Sequence, residues 1–310
     1  MKRGENLKIE KIDNTIIDNN SIVKVTTMGN VIHKQYMEKR NSKQSILKLD
    51  KDHYIKLTEG TGEIYECNHI ENRSQGLNSL RSTLRALKGI VNNNVVDYQK
   101  CRWVTLTYAE NMTDDKKLQV DLKHCIKRLR DKFGEFEYIA VREPQGRGAW
   151  HFHLFFIFDN KAPYISNNIL SECWKKGYVT IKKINDDCDD IGSYFTAYLC
   201  DIEYDQANDL NLLVDGTNYD CKDVETEDEN GKKISKKIIK GGRLCLYPPG
   251  MNLYTFSKGI KKPVSEMMTE KKAQKKISSA KLTFQNAIKL TDETTKFDNI
   301  IINQYYNIKR

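Results

Sequence analysis

None of the eight cysteines (Cys67, Cys101, Cys125, Cys173, Cys188, Cys200, Cys221 and Cys245) belongs to a Cys-x-x-Cys pair, so their spacing spells no zinc ribbon. No segment approaches the roughly 20 consecutive apolar residues needed to cross a bilayer, which argues against a membrane partner. Residues 1–14, rich in lysine and glutamate, contain no apolar stretch of the signal-peptide kind. These absences lead to the expectation of a reducing cytoplasm and free thiols. A Gly-x-x-x-x-Gly-Lys-Ser/Thr phosphate loop is missing too, so neither a nucleotide cofactor nor a fused helicase is expected. There is no internal repeat.

What the chain does have is length and positive charge. Its 310 residues, 39% hydrophobic and 30% charged, suffice for a buried core and a polar surface. The formal net charge is +9. That suits a polyanionic partner, because every cation that neutralises a phosphate releases counterions. Many basic proteins bind no nucleic acid, so charge alone decides nothing.

Four regions are expected along the chain. Residues 1–71 are polar and asparagine-rich with short mixed strands. Residues 72–205 form the densest block, led by an amphipathic basic helix from Asn72 to Ile90 with Leu77, Leu80, Leu84, Leu87 and Ile90 on one side. A strand at Arg102–Tyr108 follows, then a helix capped by Thr113 or Asp114 with Leu118, Leu122, Ile126 and Leu129 inward. Strands at Glu135–Arg142 and Trp150–Phe158, a helix at Asn167–Trp174, a strand at Tyr178–Ile184 and a helix from Asp189 to Ile202 complete it. This order predicts an α+β fold, an antiparallel β-sheet with helices packed on one face in the ferredoxin-like manner, plus basic N- and C-terminal extensions. Residues 206–263 read as a charged loop or hairpin and an aromatic, cationic segment around Pro248-Pro249-Gly250. Residues 264–310 read as a lysine-rich helical tail.

The chemistry sits on Trp150-His-Phe-His-Leu-Phe-Phe-Ile-Phe158. Alternate side chains of a strand face opposite ways. Trp150, Phe152, Leu154, Phe156 and Phe158 therefore make one apolar face, and His151 and His153 open the other, followed by Phe155 and Ile157. Two adjacent imidazoles can clip a divalent metal, although a bare His-x-His is more often a hydrogen-bonded pair at a strand end. Glu143 ends the preceding strand, and a turn with Pro144, Gly146 and Gly148 can bring its carboxylate beside His151. Two imidazoles and a carboxylate leave coordination positions for water and phosphate oxygens. Phosphate chemistry favours Mg²⁺ or Mn²⁺, while imidazole also tolerates zinc. Further on, Tyr194 and Tyr198 lie four apart on one helix and share a face, beside a buried stripe of Ile191, Phe195, Leu199 and Ile202. With sixteen tyrosines in the chain, such a pair alone is unremarkable.

Taken in order, Thr105-Leu-Thr-Tyr108, then Glu143 and His151-Phe-His153, then Tyr194-x-x-x-Tyr198 resemble the three motifs of the HUH endonucleases. Among these the chain is most similar to the replication-associated proteins of small circular phages and plasmids, over roughly residues 72–263. The resemblance implies an HUH nuclease fold that acts on single-stranded DNA at a replication origin. It implies that His151, His153 and Glu143 hold the metal, and that a tyrosine oxygen attacks the phosphodiester to leave a 5′-phosphotyrosine and a free 3′-OH primer. A second tyrosine would let one enzyme also rejoin the strand. Sequence does not order the pair; Tyr194 is the preferred first nucleophile. Host helicase and polymerase would be partners.

Relatives commonly carry a lysine beside the tyrosine or three residues after it, whereas this chain has Ala197 and Asp201. Lys182 or Lys183 could supply the cation. Arg142, Arg243, Lys258, Lys261 and Lys262 are further candidates for DNA contact, with Tyr247, Tyr254 and Phe256 as possible stacking partners for bases. Two alternatives stay open. An HUH transposase or relaxase shares the chemistry, but relaxases usually show three clustered histidines and an N-terminal tyrosine. A catalytically impaired origin-binding regulator would bind without cutting, and it gains weight from Ala197 and Asp201.

Overall fold

The computed structural model describes residues 7–13, 16–40, 46–58, 61–67, 77–144, 149–185, 188–213, 219–227, 233–247, 250–293 and 296–309. The expected turn at Gly146 and Gly148, the Pro248–Pro249 turn and the start of the basic helix at Asn72 lie outside them.

In chain order the elements are β1 (Leu7–Lys11), β2 (Ile22–Met28), β3 (Val31–Met37), β4 (Ile46–Lys48), β5 (His53–Thr58) and β6 (Thr61–Glu66). Then come α1 (Leu77–Asn94), β7 (Cys101–Thr107), α2 (Asp115–Phe133), β8 (Glu137–Pro144), β9 (Trp150–Ile157) and α3 (Asn167–Trp174). They continue with β10 (Val179–Lys182), α4 (Ile191–Cys200), β11 (Ile202–Glu203), α5 (Tyr204–Asp209), β12 (Cys221–Glu227), β13 (Lys233–Ile239) and β14 (Tyr254–Phe256). The last are β15 (Val264–Thr269), α6 (Glu270–Ile277), β16 (Lys281–Asp292) and β17 (Phe297–Asn307). Two compact units result: a central unit, Glu71–Pro263, and a terminal unit made of Met1–Ile70 with Val264–Arg310.

The central unit is built on a five-stranded antiparallel sheet in the order β10-β7-β9-β8-β14. Its first four strands follow the ferredoxin-like β-α-β-β-α-β pattern, with β14 added outside β8. One face carries Val104, Leu106, Ala140, Phe152, Leu154 and Phe156, buried with Leu118, Leu122, Ile126 and Leu129 of α2 and Leu170 and Trp174 of α3. The other carries Cys101, Ile139, Val141 and Phe155, buried with Leu87, Ile90 and Val91 of α1 and Ile191, Phe195 and Leu199 of α4. Helices therefore cover both faces. The expectation of helices on one face only is corrected: α1 and α4 also have apolar stripes to bury, and the second face of the sheet takes them.

The helix ends follow local chemistry. Asp114 caps α2, accepting from the amides of Lys116 and Lys117, and Gly134 ends it at φ 80°. Ser166 caps α3, accepting from the Ile169 amide. The segment expected as a charged loop or hairpin contains the antiparallel pair β12 and β13, which together with β11 makes a three-stranded sheet.

The terminal unit is not a polar arm plus a helical tail. Residues 264–310 contain one short helix, α6, and three strands that pair with β1, β2 and β3 in a six-stranded sheet, β1-β16-β17-β3-β2-β15. The lysines of α6 that suggested a longer helix alternate with Ala273 and Ile277, which pack on Val23, Val25 and Ile32. On that covered face Lys34 and Glu270, both buried, form an ion pair. A separate three-stranded sheet, β4-β5-β6, completes the unit. No described helix is long and apolar enough to cross a membrane.

Candidate metal centre and tyrosine helix

Strand register decides which side chains meet. In the β8–β9 pair Glu143 stands opposite His151, and Val141 opposite His153. In the β7–β9 pair Thr107 stands opposite His151, and Thr105 opposite His153. Directly opposed residues share a face, so Glu143, His151, His153, Thr105 and Trp103 all belong to the face covered by α1 and α4.

On that face three donor atoms, one each from Glu143, His151 and His153, lie within 4.8 Å of one another. Oε2 of Glu143 is 3.3 Å from Nε2 of His151 and in closer contact with Nε2 of His153. Nδ1 of His153 is 3.2 Å from the Thr105 hydroxyl. A partner on Nδ1 fixes the ring and directs Nε2 inward, as in known metal sites. Glu143 and His153 are almost fully enclosed, at 2% and 1% exposure, and His151 is 14% exposed. Burial works against ionisation of Glu143, but hydrogen bonds from both histidines and the nearby Arg243 charge outweigh it and hold its carboxyl at about 2. Burial also lowers the pKa of His153 despite its contact with Glu143, so the ring is neutral near pH 7, the form that ligates metal. Two neutral nitrogens and a carboxylate oxygen converging in this way fit a divalent cation.

Arg243 has a role that the sequence did not suggest. Its Nη1 pairs with Oε1 of Glu143. Its Nε donates to the Asp201 carbonyl at 2.8 Å, and its Nη2 to the Gln206 side chain at 3.2 Å. The half-buried guanidinium thus engages a carboxylate, a backbone carbonyl and a side-chain amide. Gly241, left-handed at φ 69°, starts the short turn that carries Arg243. Asp201 is likewise occupied: its carboxylate accepts from the Gly241 amide at 3.1 Å and pairs with Lys222 at 2.7 Å. In this chain Asp201 secures the end of α4 and the segment that delivers Arg243.

Helix α4 presents Tyr194. Asp190 caps it through the Ser193 amide at 2.8 Å and is itself bonded to Lys88 and Asn92 of α1. Contact between the helices is close at Gly192, where an added Cβ would lie 2.5 Å from the Lys88 carbonyl oxygen. Tyr194, 58% exposed, sets its ring edge-on to Trp103 with centroids 5.8 Å apart. A groove of about 760 Å³ runs along this face, lined among others by Trp103, Thr105, Lys182, Lys183 and Tyr194. Tyr198 lies one turn further along α4; its side chain is outside the described structure.

The remaining candidates divide. Lys258, Lys261 and Lys262 are exposed. Arg142 is 2% exposed and stands opposite Phe152, on the face away from the histidines. An enclosed guanidinium is not presented to a nucleic-acid backbone, so the expectation of a surface contact there is corrected. Tyr247 is buried against Trp150, and Tyr254 and Phe256 are half-buried in the core, where they pack rather than stand ready for bases.

The fold and cluster together define a ferredoxin-like α+β domain with a candidate divalent-metal centre on its central strand and a tyrosine at the adjoining groove. Residues 101–203, about a third of the chain, match the model of a family described as Replication-associated protein ORF2. The match spans Glu143, both histidines and Tyr194, and this segment is similar to replication-associated proteins of the rolling-circle type. It supports a role in the initiation of DNA replication. No curated protein and no solved structure matches the chain.

Proposed function

We propose that this protein initiates rolling-circle replication by nicking single-stranded origin DNA with Tyr194. The observation that carries the proposal is the convergence of Glu143, His151 and His153 on the sheet face whose groove Tyr194 lines. A divalent cation held by the three would supply Lewis-acid polarisation of the scissile phosphate. Thr105 orients His153, and Arg243 keeps Glu143 ionised and aimed. Lys182 and Lys183, at the groove, face the DNA backbone and offset charge that develops on the phosphate.

In the step itself the Tyr194 oxygen forms a bond to phosphorus and gives up its proton. The bond from phosphorus to the 3′ oxygen breaks, and that oxygen gains a proton to become the 3′-OH primer. The phosphotyrosine keeps the ester energy for a later transesterification, in which Tyr198 serves as second nucleophile. Lys258, Lys261 and Lys262 extend the contact to DNA backbone. Unwinding and synthesis fall to a host helicase and polymerase.

The test is a nicking assay on supercoiled DNA bearing the element's own origin, with Mn²⁺ or EDTA. Wild type is compared with Tyr194→Phe and Tyr198→Phe. Metal-dependent relaxation with a covalent protein–DNA adduct that Tyr194→Phe abolishes is the expected result. Tight origin binding with neither nick nor adduct would overturn the enzyme in favour of a binding-only regulator.

A further inference from the structure

The six-stranded sheet of the terminal unit has α6 on one face only. Its other face is ordered in transverse rows set by strand register. One row runs Phe284, Tyr305, His33, Thr26, Ser265 across β16, β17, β3, β2 and β15. The next row runs Asn286, Asn303, Gln35, Lys24, Met267 across the same strands. None of these ten residues is buried, and Phe284 is 56% exposed. Val23, Val25, Ile32, Lys34 and Ile302 on the opposite face are all buried, and on the same face as the open rows the strands end at Met28, Val31 and Asn307, which are buried too.

The chemistry of the open face is specific. His33 and Tyr305 stack with centroids 4.3 Å apart and planes 10° from parallel, and Phe284 meets Tyr305 edge-on at 6.0 Å. Beside them the Asn303 amide oxygen accepts from Gln35 at 3.0 Å and lies 3.1 Å from Nε2 of His33. Planar rings next to amides that can donate and accept are what unstacked bases need, a π surface and hydrogen-bonding groups for their edges. Charge agrees. The terminal unit carries twenty-one lysines and arginines against fifteen aspartates and glutamates, six of the chain's nine net positive charges. Lys11, Lys24 and Lys281 point to the open face by register, with Asp292 the one acid there among the paired strand residues.

We infer that this open face is a second nucleic-acid site, which binds single-stranded DNA by stacking bases on Phe284, Tyr305 and His33 while Lys24 and its neighbours hold the backbone. It lies in the terminal unit, outside the residues that match the replication family, and does not depend on the nuclease reading.

The experiment measures binding of the full chain to a labelled mixed-sequence single-stranded DNA lacking the origin, at fixed ionic strength. The variants are Phe284→Ala, Tyr305→Ala, their double and Lys24→Gln. Thermal melts check folding, and Phe284→Leu keeps an apolar side chain without the ring. The result expected is about tenfold weaker binding for each ring removed, by Phe284→Leu as much as by Phe284→Ala. Lys24→Gln should flatten the salt dependence. Affinity unchanged in the double variant, or duplex DNA of the same sequence bound equally well by every variant, overturns the site. RNA bound more tightly than DNA and lost in the same variants overturns its assignment to DNA. Nicking of a short origin strand by Phe284→Ala reads the catalytic centre separately, so failure of one site is distinguishable from failure of the other.

Discussion

The two main sheets solve the same problem in opposite ways. The central sheet is buried on both faces, and its strands show it: seven of the eight residues of β8 and β9 nearest the histidines, Val141–Pro144 and His151–Leu154, are buried. The terminal sheet is covered on one face, and β2 alternates exposed and buried residues from Ile22 to Val25. The difference explains why polar groups mean different things in the two places. On the open face, amides and hydroxyls cost nothing to keep. Inside the double-covered sheet a histidine pair and a carboxylate must be mutually satisfied or otherwise compensated, so their presence calls for a function.

Substituting the same residue type in both sheets tests that contrast at its extremes. Phe155→Ala, in contact with Trp103 and Phe195, should cost about 3–5 kcal/mol in chemical denaturation. A loss below about 1 kcal/mol would mean that the second helical layer is not packed as described. Gly192→Ala should cost about 1–3 kcal/mol, since α1 and α4 must separate to admit the Cβ. It should also slow adduct formation by shifting Tyr194; an unchanged melt and rate would contradict the close contact. Acid should weaken the central unit in EDTA. His153 is held below its ordinary 6.5, so its contribution is present above that pH and is lost as pH falls through the lower folded value. Glu143 follows only between its ordinary 4.5 and about 2. The transition temperature should therefore fall between pH 7 and 5, and fall less in His153→Gln. The smallest effect is expected for Phe284→Ala on the open sheet, within about 0.5 kcal/mol by the same denaturation.

Much of the central unit was legible because its signals are local. Asp114, one of the two expected capping residues, is followed by apolar positions of helical period, and α2 begins where that signal puts it, while α3 has the expected bounds Asn167–Trp174. The β9 alternation placed both histidines on one face, and Glu143 followed from the hairpin. That same strand also hinted at the second helical layer, because Phe155 and Ile157 continue the histidine face and need cover. Arg243 was not legible: it reaches Glu143 from 100 residues away, and no local pattern encodes such an encounter. Nor was the terminal sheet, in which β15 pairs with β2 and β17 with β3 across most of the chain's length. The lysines of residues 264–310 suit an exposed face of helix or strand alike, so they do not separate a helical tail from the strands that form there.

The central claim is that Glu143, His151 and His153 form one divalent-metal site, and a direct Mn²⁺ titration of the whole chain by calorimetry or electron paramagnetic resonance tests it. The account predicts a single site per chain, lost in His151→Ala, His153→Ala and Glu143→Ala and about tenfold weaker in Arg243→Ala. Binding that survives all three ligand substitutions, or no binding by a folded wild type, would contradict it.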